Sequence, residues 1–380
     1  MAITVVGEFA VYAGFASMNE YLVLGMHRAG ARLNIAPHLL DTTGCSAEFL
    51  RLWARSRPHV DGPVLYSSWL RPDLDCYTRA DLFLRSMYEA SRLPSGWASR
   101  FNRARAVIVP TTFVADAFRA SGVTVPLEVV PDGIDPVAYP YLDRPPRPGV
   151  TTLIVGAVYN RLYGLPGLAD RKHLPEGIAA WQQAFAGDPD ARLLLKCRFG
   201  QRQDFPADPR ITLIADDERT RGIAHWYGHA DVLLALGSEG FGLPLVEGMS
   251  TGLPVIALAS EGQGDVCREA GDLVLAVPPA SWEPHLHEGR EPCGIRGVPG
   301  VGDVAEKLHW VATHRAEAAE LGRAASAWVH QHRNVWSYGP GVLAAIEQHA
   351  RSRRSLRRRP PRRPRRPPLP RPREPAIPHG

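Results

Sequence analysis

The sequence predicts an α/β protein built of two doubly wound, Rossmann-like domains that face each other across a cleft. Two series of short apolar runs, each fit for buried strands and separated by helical stretches, occupy residues 1–143 and 151–335. The run Pro145-Pro146-Arg147-Pro148 interrupts the alternation and marks 144–150 as a linker. A length of 380 residues with 45% hydrophobic side chains can supply two cores.

The first series opens with Ile3–Val6 as a strand and a loop that holds Gly14. A helix is expected from about Ser17 to Gly30. There Ser17-x-x-Glu20 has the form of a capping box, and Met18, Leu22 and Met26 fall four apart on one face. Strands at Ala31–Ile35, Val64–Tyr66, Leu82–Met87, Ala106–Val109 and Leu127–Val130, with helices at Ser46–Ala54 and Val114–Ala120, complete this domain. In the second series the strands are Thr151–Val155, Leu193–Leu195, Ile211–Ile214, Val232–Leu236, Val255–Ala259 and Leu273–Ala276. Helices at 303–313 and 315–333 close it, and Trp336 introduces a last helical segment over 336–350.

The most informative stretch is Ser238-Glu239-Gly240-Phe241-Gly242-Leu243-Pro244-Leu245-Val246-Glu247, in which two acids eight positions apart bracket a glycine-rich turn that opens a helix. Gly240 and Gly242 let backbone N–H groups approach a ligand, and Pro244 fits the first helical position. Unpaired N–H groups at such a start attract phosphate. Glu239 lies before the helix and Glu247 one turn inside it, so each carboxylate can accept from different hydroxyls of one ligand. Downstream, Gly252-Leu253-Pro254 leads into the next strand and then into Glu261-Gly262-Gln263-Gly264-Asp265.

In that order and spacing the chain resembles the retaining glycosyltransferases of family 4, whose E-x7-E motif has the form EGFGLP-x-x-E followed by G-x-P-V-I. The resemblance extends through most of residues 1–350 and is weakest before about residue 80. It implies the GT-B fold, with a final helix behind Trp336 crossing back to the first domain. It also implies transfer of a hexose from a nucleoside diphosphate sugar to a hydroxyl acceptor (glycan, lipid or small molecule) with retention of configuration. Glu239 would approach the donor hexose and Glu247 the ribose, with Phe241, Gly242 and Leu243 offering N–H groups. Arg171 and Lys172 would face the diphosphate, where a departing leaving group gathers negative charge. Gly14 matches the glycine-rich loop near the diphosphate, and Ile214 and Ala215 the strand end whose backbone meets the base. Lys196, at the end of Leu193-Leu194-Leu195, reads either as a cleft-facing donor-site residue or as a snorkelling strand-end lysine. Many relatives carry a His where this chain has Met87-Tyr88-Glu89, which makes Glu89 the candidate there; some carry an Arg where it has Gly156-Ala157, which leaves Arg171 or Arg161 to compensate. Val130-Pro131-Asp132-Gly133-Ile134-Asp135 looks like the family's V-P-N-G-V-D turn and serves as a positional marker.

No metal or other cofactor is expected, the sugar nucleotide being a co-substrate. Asp73-Leu74-Asp75 and Asp188-Pro189-Asp190 imitate a metal-holding D-x-D but lack its strand context. The five cysteines are far apart and read as reduced thiols. The first twenty residues hold no Lys or Arg, and no apolar run approaches bilayer length, so the expected address is cytoplasmic. The net charge of +5 hides an asymmetry: residues 351–380 carry twelve Arg and one Glu, which leaves the first 350 residues at −6. Nine Pro among those thirty favour an extended, disordered tail that could touch anionic lipid at the inner membrane face, with nucleic acid the less favoured partner. Two rival functions stand beside the transferase: a GT-B sugar-nucleotide epimerase, and a non-catalytic sugar-nucleotide- or RNA-binding protein.

Overall fold

A computed structural model describes residues 2–9, 14–57, 62–77, 81–145, 147–155, 170–196, 208–214, 223–287 and 290–357. Two six-stranded parallel sheets carry the architecture. The first has the order β2-β1-β3-β4-β5-β6, with β1 Ala2–Phe9, β2 Arg32–Leu40, β3 Val64–Ser67, β4 Leu82–Arg85, β5 Val107–Val109 and β6 Leu127–Val129. The second has the order β12-β11-β10-β7-β8-β9, with β7 Thr151–Val155, β8 Arg192–Lys196, β9 Ile211–Ile214, β10 Val232–Ala235, β11 Val255–Leu258 and β12 Leu275–Val277.

The inner strands of both sheets are buried on both faces, which is why they read as apolar runs. Along β10 and β11, Val232, Leu234, Ile256 and Leu258 enter one core while Leu233, Ala235, Val255 and Ala257 enter another. In the first domain Ile3, Val5 and Leu65 face one core, and Val6, Val64 and Tyr66 the other.

The last helix, Tyr338–Arg357, returns to the first domain, where Tyr338, Val342 and Ile346 join its core. Arg28 lies over the Trp336 ring at 3.7 Å, and Tyr21 meets it edge-on. The chain leaves and re-enters the first domain at neighbouring points, since Ile134 pairs with Asn334. Asp132, in the turn taken as a marker, accepts both Arg85 Nη2 bonds at 2.7 and 2.8 Å. Ile134 and Tyr139 pack with the second domain's core, and Arg144 donates to Ala230 O and Thr251 O there.

Four expectations change. The first helix is Gly14–Arg28, so Ser17 lies inside it and caps nothing, and Gly14 is its first residue rather than a loop residue. Pro244 is the second residue of its helix, Leu243–Ser250. The last helix continues seven residues beyond 350, and the chain from 358 lies outside the described residues. Finally, an antiparallel hairpin, β13 Pro279–His287 and β14 Glu291–Pro299, stands between β12 and the helix Val301–Thr313. Its prolines hide it in the sequence, yet a two-stranded ribbon with open edges tolerates them.

Candidate functional site

The site forms where β10 ends. After Ala235 the chain turns through Gly237–Gly242 into the helix Leu243–Ser250. Gly242 caps that helix at φ +96°, and a Cβ there would come within 2.8 Å of Gln263 Cβ, so only glycine fits. Gln263 braces the turn from behind by donating to Ala235 O at 3.0 Å and Leu258 O at 2.8 Å. The first domain presses on its front. Thr111 Oγ1 donates to Gly240 O at 2.9 Å, and a Cβ on Gly240 would meet Met87 Sδ at 3.0 Å. A Cβ on Gly14 would likewise meet Leu243 Cδ1 at 2.9 Å, so the starts of two helices, one from each domain, abut.

Four of the predicted side chains converge here. Glu239 Oε1 accepts from Lys172 Nζ, and its Oε2 from Arg171 Nη1 at 3.1 Å. Arg171 Nη1 also donates to Ser238 O at 2.9 Å and lies 3.9 Å from Glu89 Oε1 of the first domain. Both cations come from a short 3₁₀ turn, Asp170–Lys172, that precedes the helix Leu174–Ala184. The cluster is half-closed to solvent. Burial alone would raise the Glu239 carboxyl, but the charges of Lys172 and Arg171 outweigh it and hold the group down to about 2. For Glu89 burial wins over Arg171, and the nearby Glu239 adds to it, so its carboxyl is pushed up. Burial draws the Lys172 ammonium down against the pull of Glu239. Glu239 is therefore held ionised between two cations, with Glu89 farther off, 3.9 Å from Arg171. Two cations beside a helix start suit an anionic ligand.

Glu247, one turn into the helix, accepts from the buried Tyr227 hydroxyl at 2.7 Å. Tyr227 aims that carboxylate, and its sequence neighbourhood gave no signal beyond a buried aromatic. Phe241 is buried in the second domain's core and Leu243 packs between the domains, so both can serve a ligand only through backbone N–H groups. Lys196 is buried at the end of β8, in register with Val155 and Ile214. A small cavity of about 10 Å³ is lined by Val155, Lys172, Glu239, Pro244 and Gln263. A larger one, about 400 Å³, lies apart from this cluster, between Glu128–Asp132 and the last helix, and holds none of the predicted residues. Ala215, Arg161 and Gly156-Ala157 lie outside the described residues.

Among the described residues no group of three His, Cys, Asp or Glu side chains is arranged to hold a metal ion. Three of the four acids of the two D-x-D strings are engaged locally: Asp73 accepts from Tyr66, Asp75 from Arg103, and Asp188 from the Asp190 N–H. Cys45, Cys76, Cys267 and Cys293 are free thiols. Within the described residues no helix is long and apolar enough to cross a membrane.

Residues 211–285 match the family model described as Glycosyl transferases group 1. A comparison with curated protein sequences finds no match. Among solved structures the chain is similar to Anabaena HepE, crystallised with UDP and glucose, at 13% identity and a TM-score of 0.64 over 92% of this chain and 100% of that one. A glycosyltransferase from Rickettsia africae ESF-5 aligns at 12% identity and 0.63, over 92% and 98% of the two chains. WaaG, a glycosyltransferase involved in lipopolysaccharide biosynthesis, aligns at 13% and 0.62, over 91% and 99%. Likeness at such identities speaks for the fold. The chain has the GT-B fold, and the resemblance to GT-B glycosyltransferases read from the sequence is borne out, while family 4 rests on the E-x7-E residues themselves.

Proposed function

We propose that this GT-B chain is a retaining, metal-independent glycosyltransferase of family 4 type that moves a hexose from a nucleoside diphosphate sugar to a hydroxyl acceptor. The observation that carries the reading is the convergence of Arg171 and Lys172 on Glu239 at the start of the helix Leu243–Ser250. UDP bound to a structural neighbour of this fold supports a nucleotide-sugar donor.

In this reading the diphosphate lies against the helix start, with Arg171 and Lys172 on its oxygens, and Glu247 accepts from ribose hydroxyls. The bond from the anomeric carbon to the phosphate oxygen breaks, and the diphosphate carries the electron pair away. The acceptor oxygen attacks from the same face and forms the new bond. Its proton passes to the departing phosphate oxygen, so no enzymic base is required. Glu239 fixes both cations and holds negative charge beside the oxocarbenium-like sugar, and preorganised charge of this kind lowers the barrier because it needs no rearrangement during reaction.

The test is a panel of UDP-, GDP- and ADP-linked hexoses with p-nitrophenyl glycoside acceptors, scored by nucleoside diphosphate release and by product anomer. Acceptor-dependent release of diphosphate, a retained anomeric centre and full turnover in EDTA are expected. Inverted product removes the retaining mechanism. Activity lost in chelator and restored by manganese or magnesium removes the metal-free scheme, and isomerised sugar nucleotide formed without an acceptor replaces transfer by epimerisation.

A further inference from the structure

The carboxyl ends of β1, β2 and β3 carry a second polar cluster, on the same edge of the first sheet as Glu89, which follows β4. Open α/β sheets take their ligands along that edge. Asn19, buried on the helix Gly14–Arg28, ties two of these ends together by donating to Glu8 O and Ser67 O at 3.0 Å each, and a Cβ on Gly7 would lie 2.8 Å from its Nδ2. The start of the same helix abuts Leu243, so one element reaches both this cluster and the turn that opens the helix Leu243–Ser250. Gly7 pairs with Pro37 and Glu8 with Leu39, which leaves His38 as a bulge residue that faces no partner on β1. It stands between two acids. His38 Nε2 lies 3.9 Å from Glu8 Oε1 and Nδ1 3.4 Å from Asp73 Oδ2, with a hydrogen bond to neither. Ser68 Oγ donates to Glu8 Oε1 at 3.0 Å, and the Tyr66 hydroxyl to Asp73 Oδ1 at 2.8 Å.

Both carboxylates can be reached from solvent, which a purely internal brace would not need. The Glu8 side chain is 22% exposed and that of Asp73 37%, and Trp69, directly after Ser68, is 39% exposed. His38 first, and Ser68 after it, hold the Glu8 carboxyl below its ordinary value against the pull of burial, so near pH 7 it is ionised and can only accept. Neighbouring hydroxyls of a sugar ring donate to such acids, and the apolar face of an indole suits the C–H face of the same ring. Other acceptor classes fit worse. An anionic acceptor would meet two carboxylates, with Arg71 the cation beside Asp73 at 3.9 Å, and an alkyl chain would cover the acids without pairing them.

Resting on the glycosyltransferase reading above, we infer that the hydroxyl acceptor is a neutral saccharide, with Glu8 and Asp73 accepting hydrogen bonds from its hydroxyls and Trp69 packing on its ring. The experiment uses the full chain, the donor and sugar acceptor selected by the panel, and that sugar as both its p-nitrophenyl and its methyl glycoside. The methyl glycoside separates binding of the sugar from stacking of the aromatic aglycone. Glu8→Gln keeps the shape and an oxygen for Ser68 while removing the charge, and Trp69→Ala removes the ring at an exposed position, where loss of folding is not expected. Each should raise the KM for both glycosides by about ten-fold or more. Trp69→Tyr should recover most of that loss. Donor hydrolysis without acceptor and affinity for the nucleoside diphosphate should stay within about two-fold in Trp69→Ala, since neither uses the lost contact. An unchanged acceptor KM in folded Trp69→Ala and Glu8→Gln would overturn the proposal, as would a change confined to the p-nitrophenyl glycoside, or donor hydrolysis falling in step with transfer. Transfer by the parent to n-octanol and to no glycoside would overturn the saccharide class and leave the glycosyltransferase reading in place. A parent chain that releases no diphosphate with any acceptor would remove that reading itself, and the proposal with it.

Discussion

Two buried ionic clusters, one within the first domain and one between the domains, are built differently. Arg85 and Asp132 form a closed pair, each side chain 1% exposed, with the guanidinium flanked by the Phe15 and Tyr338 rings. One cation meets one carboxylate, twice hydrogen-bonded, while Arg85 Nη1 has no partner among the described residues and Asp132 and Tyr338 line the larger cavity. At Arg171, Lys172, Glu239 and Glu89 two cations share one firmly ionised acid, burial pushes the carboxyl of the second acid up, and the side chains retain 9–23% exposure. The first pair balances one charge with one, and its guanidinium lies against Tyr338 of the last helix. The second sets two cations on Glu239 and keeps both partly exposed. Charge balance, more than burial, separates the two clusters.

The largest expected effect breaks the closed pair. Arg85→Ala leaves Asp132 buried and uncompensated, and loss of one partner of such a pair typically costs about 3–5 kcal/mol. Chemical denaturation should show that loss, while Arg85→Leu combined with Asp132→Leu should be milder than Arg85→Ala. If Arg85→Ala unfolds with the parent, the pair does not secure the first domain.

Breaking the open cluster should act on rate. Glu239→Ala is expected to lower kcat by about 100-fold or more, in the range seen when a preorganised electrostatic group is removed, with a smaller change in affinity for the nucleoside diphosphate. Steady-state kinetics beside calorimetry separate the two, and a variant that binds the diphosphate far more weakly yet turns over at the parent's rate would reassign Glu239 to binding. Glu247→Ala should do the opposite, weakening diphosphate binding by about 1.5–3 kcal/mol through loss of a charge-assisted bond and leaving kcat nearly untouched.

Acid should sharpen the contrast. The Glu239 carboxyl sits below its ordinary value in the folded chain, so its contribution to stability is present above the unfolded pKa and is lost as pH falls from there toward about 2. Glu239→Gln should flatten that part of the acid-unfolding profile relative to the parent, and coincident profiles would show that the cations do not stabilise the ionised form. The smallest effect is expected from removing the basic tail. The cut belongs after Arg357, because the helix Tyr338–Arg357 is continuous through Ala350. Turnover on a p-nitrophenyl glycoside should be unchanged, and its loss from a folded truncated chain would make the tail part of the catalytic apparatus. Sedimentation of both forms with anionic liposomes, at low and high salt, tests the membrane contact read from the charge run.

The sequence by itself determined both sheets and the place of the acidic turn. A strand buried on both faces must be apolar throughout, and a helix entered through Gly240-Phe241-Gly242 needs glycine where backbones crowd, so both leave marks that a single chain displays. Glu239, Arg171, Lys172 and Glu89 were legible as candidates because their residue types fit the chemistry and the motif's spacing. What only the tertiary structure decided is which distant groups meet. That Glu89 faces Arg171, that Asp132 is a buried partner of Arg85 and not a bare turn acid, and that Tyr227 aims Glu247 are contacts between residues 20 to 82 positions apart, with no local pattern to announce them. The hairpin is the clearest case. Pro279 and Pro284 argue locally against a strand, and the ribbon exists because Ser91, Tyr88 and Glu261 hold it from two domains at once. Local pattern reports what a segment must bury, whereas the partner that buries it is fixed only when the whole chain has folded.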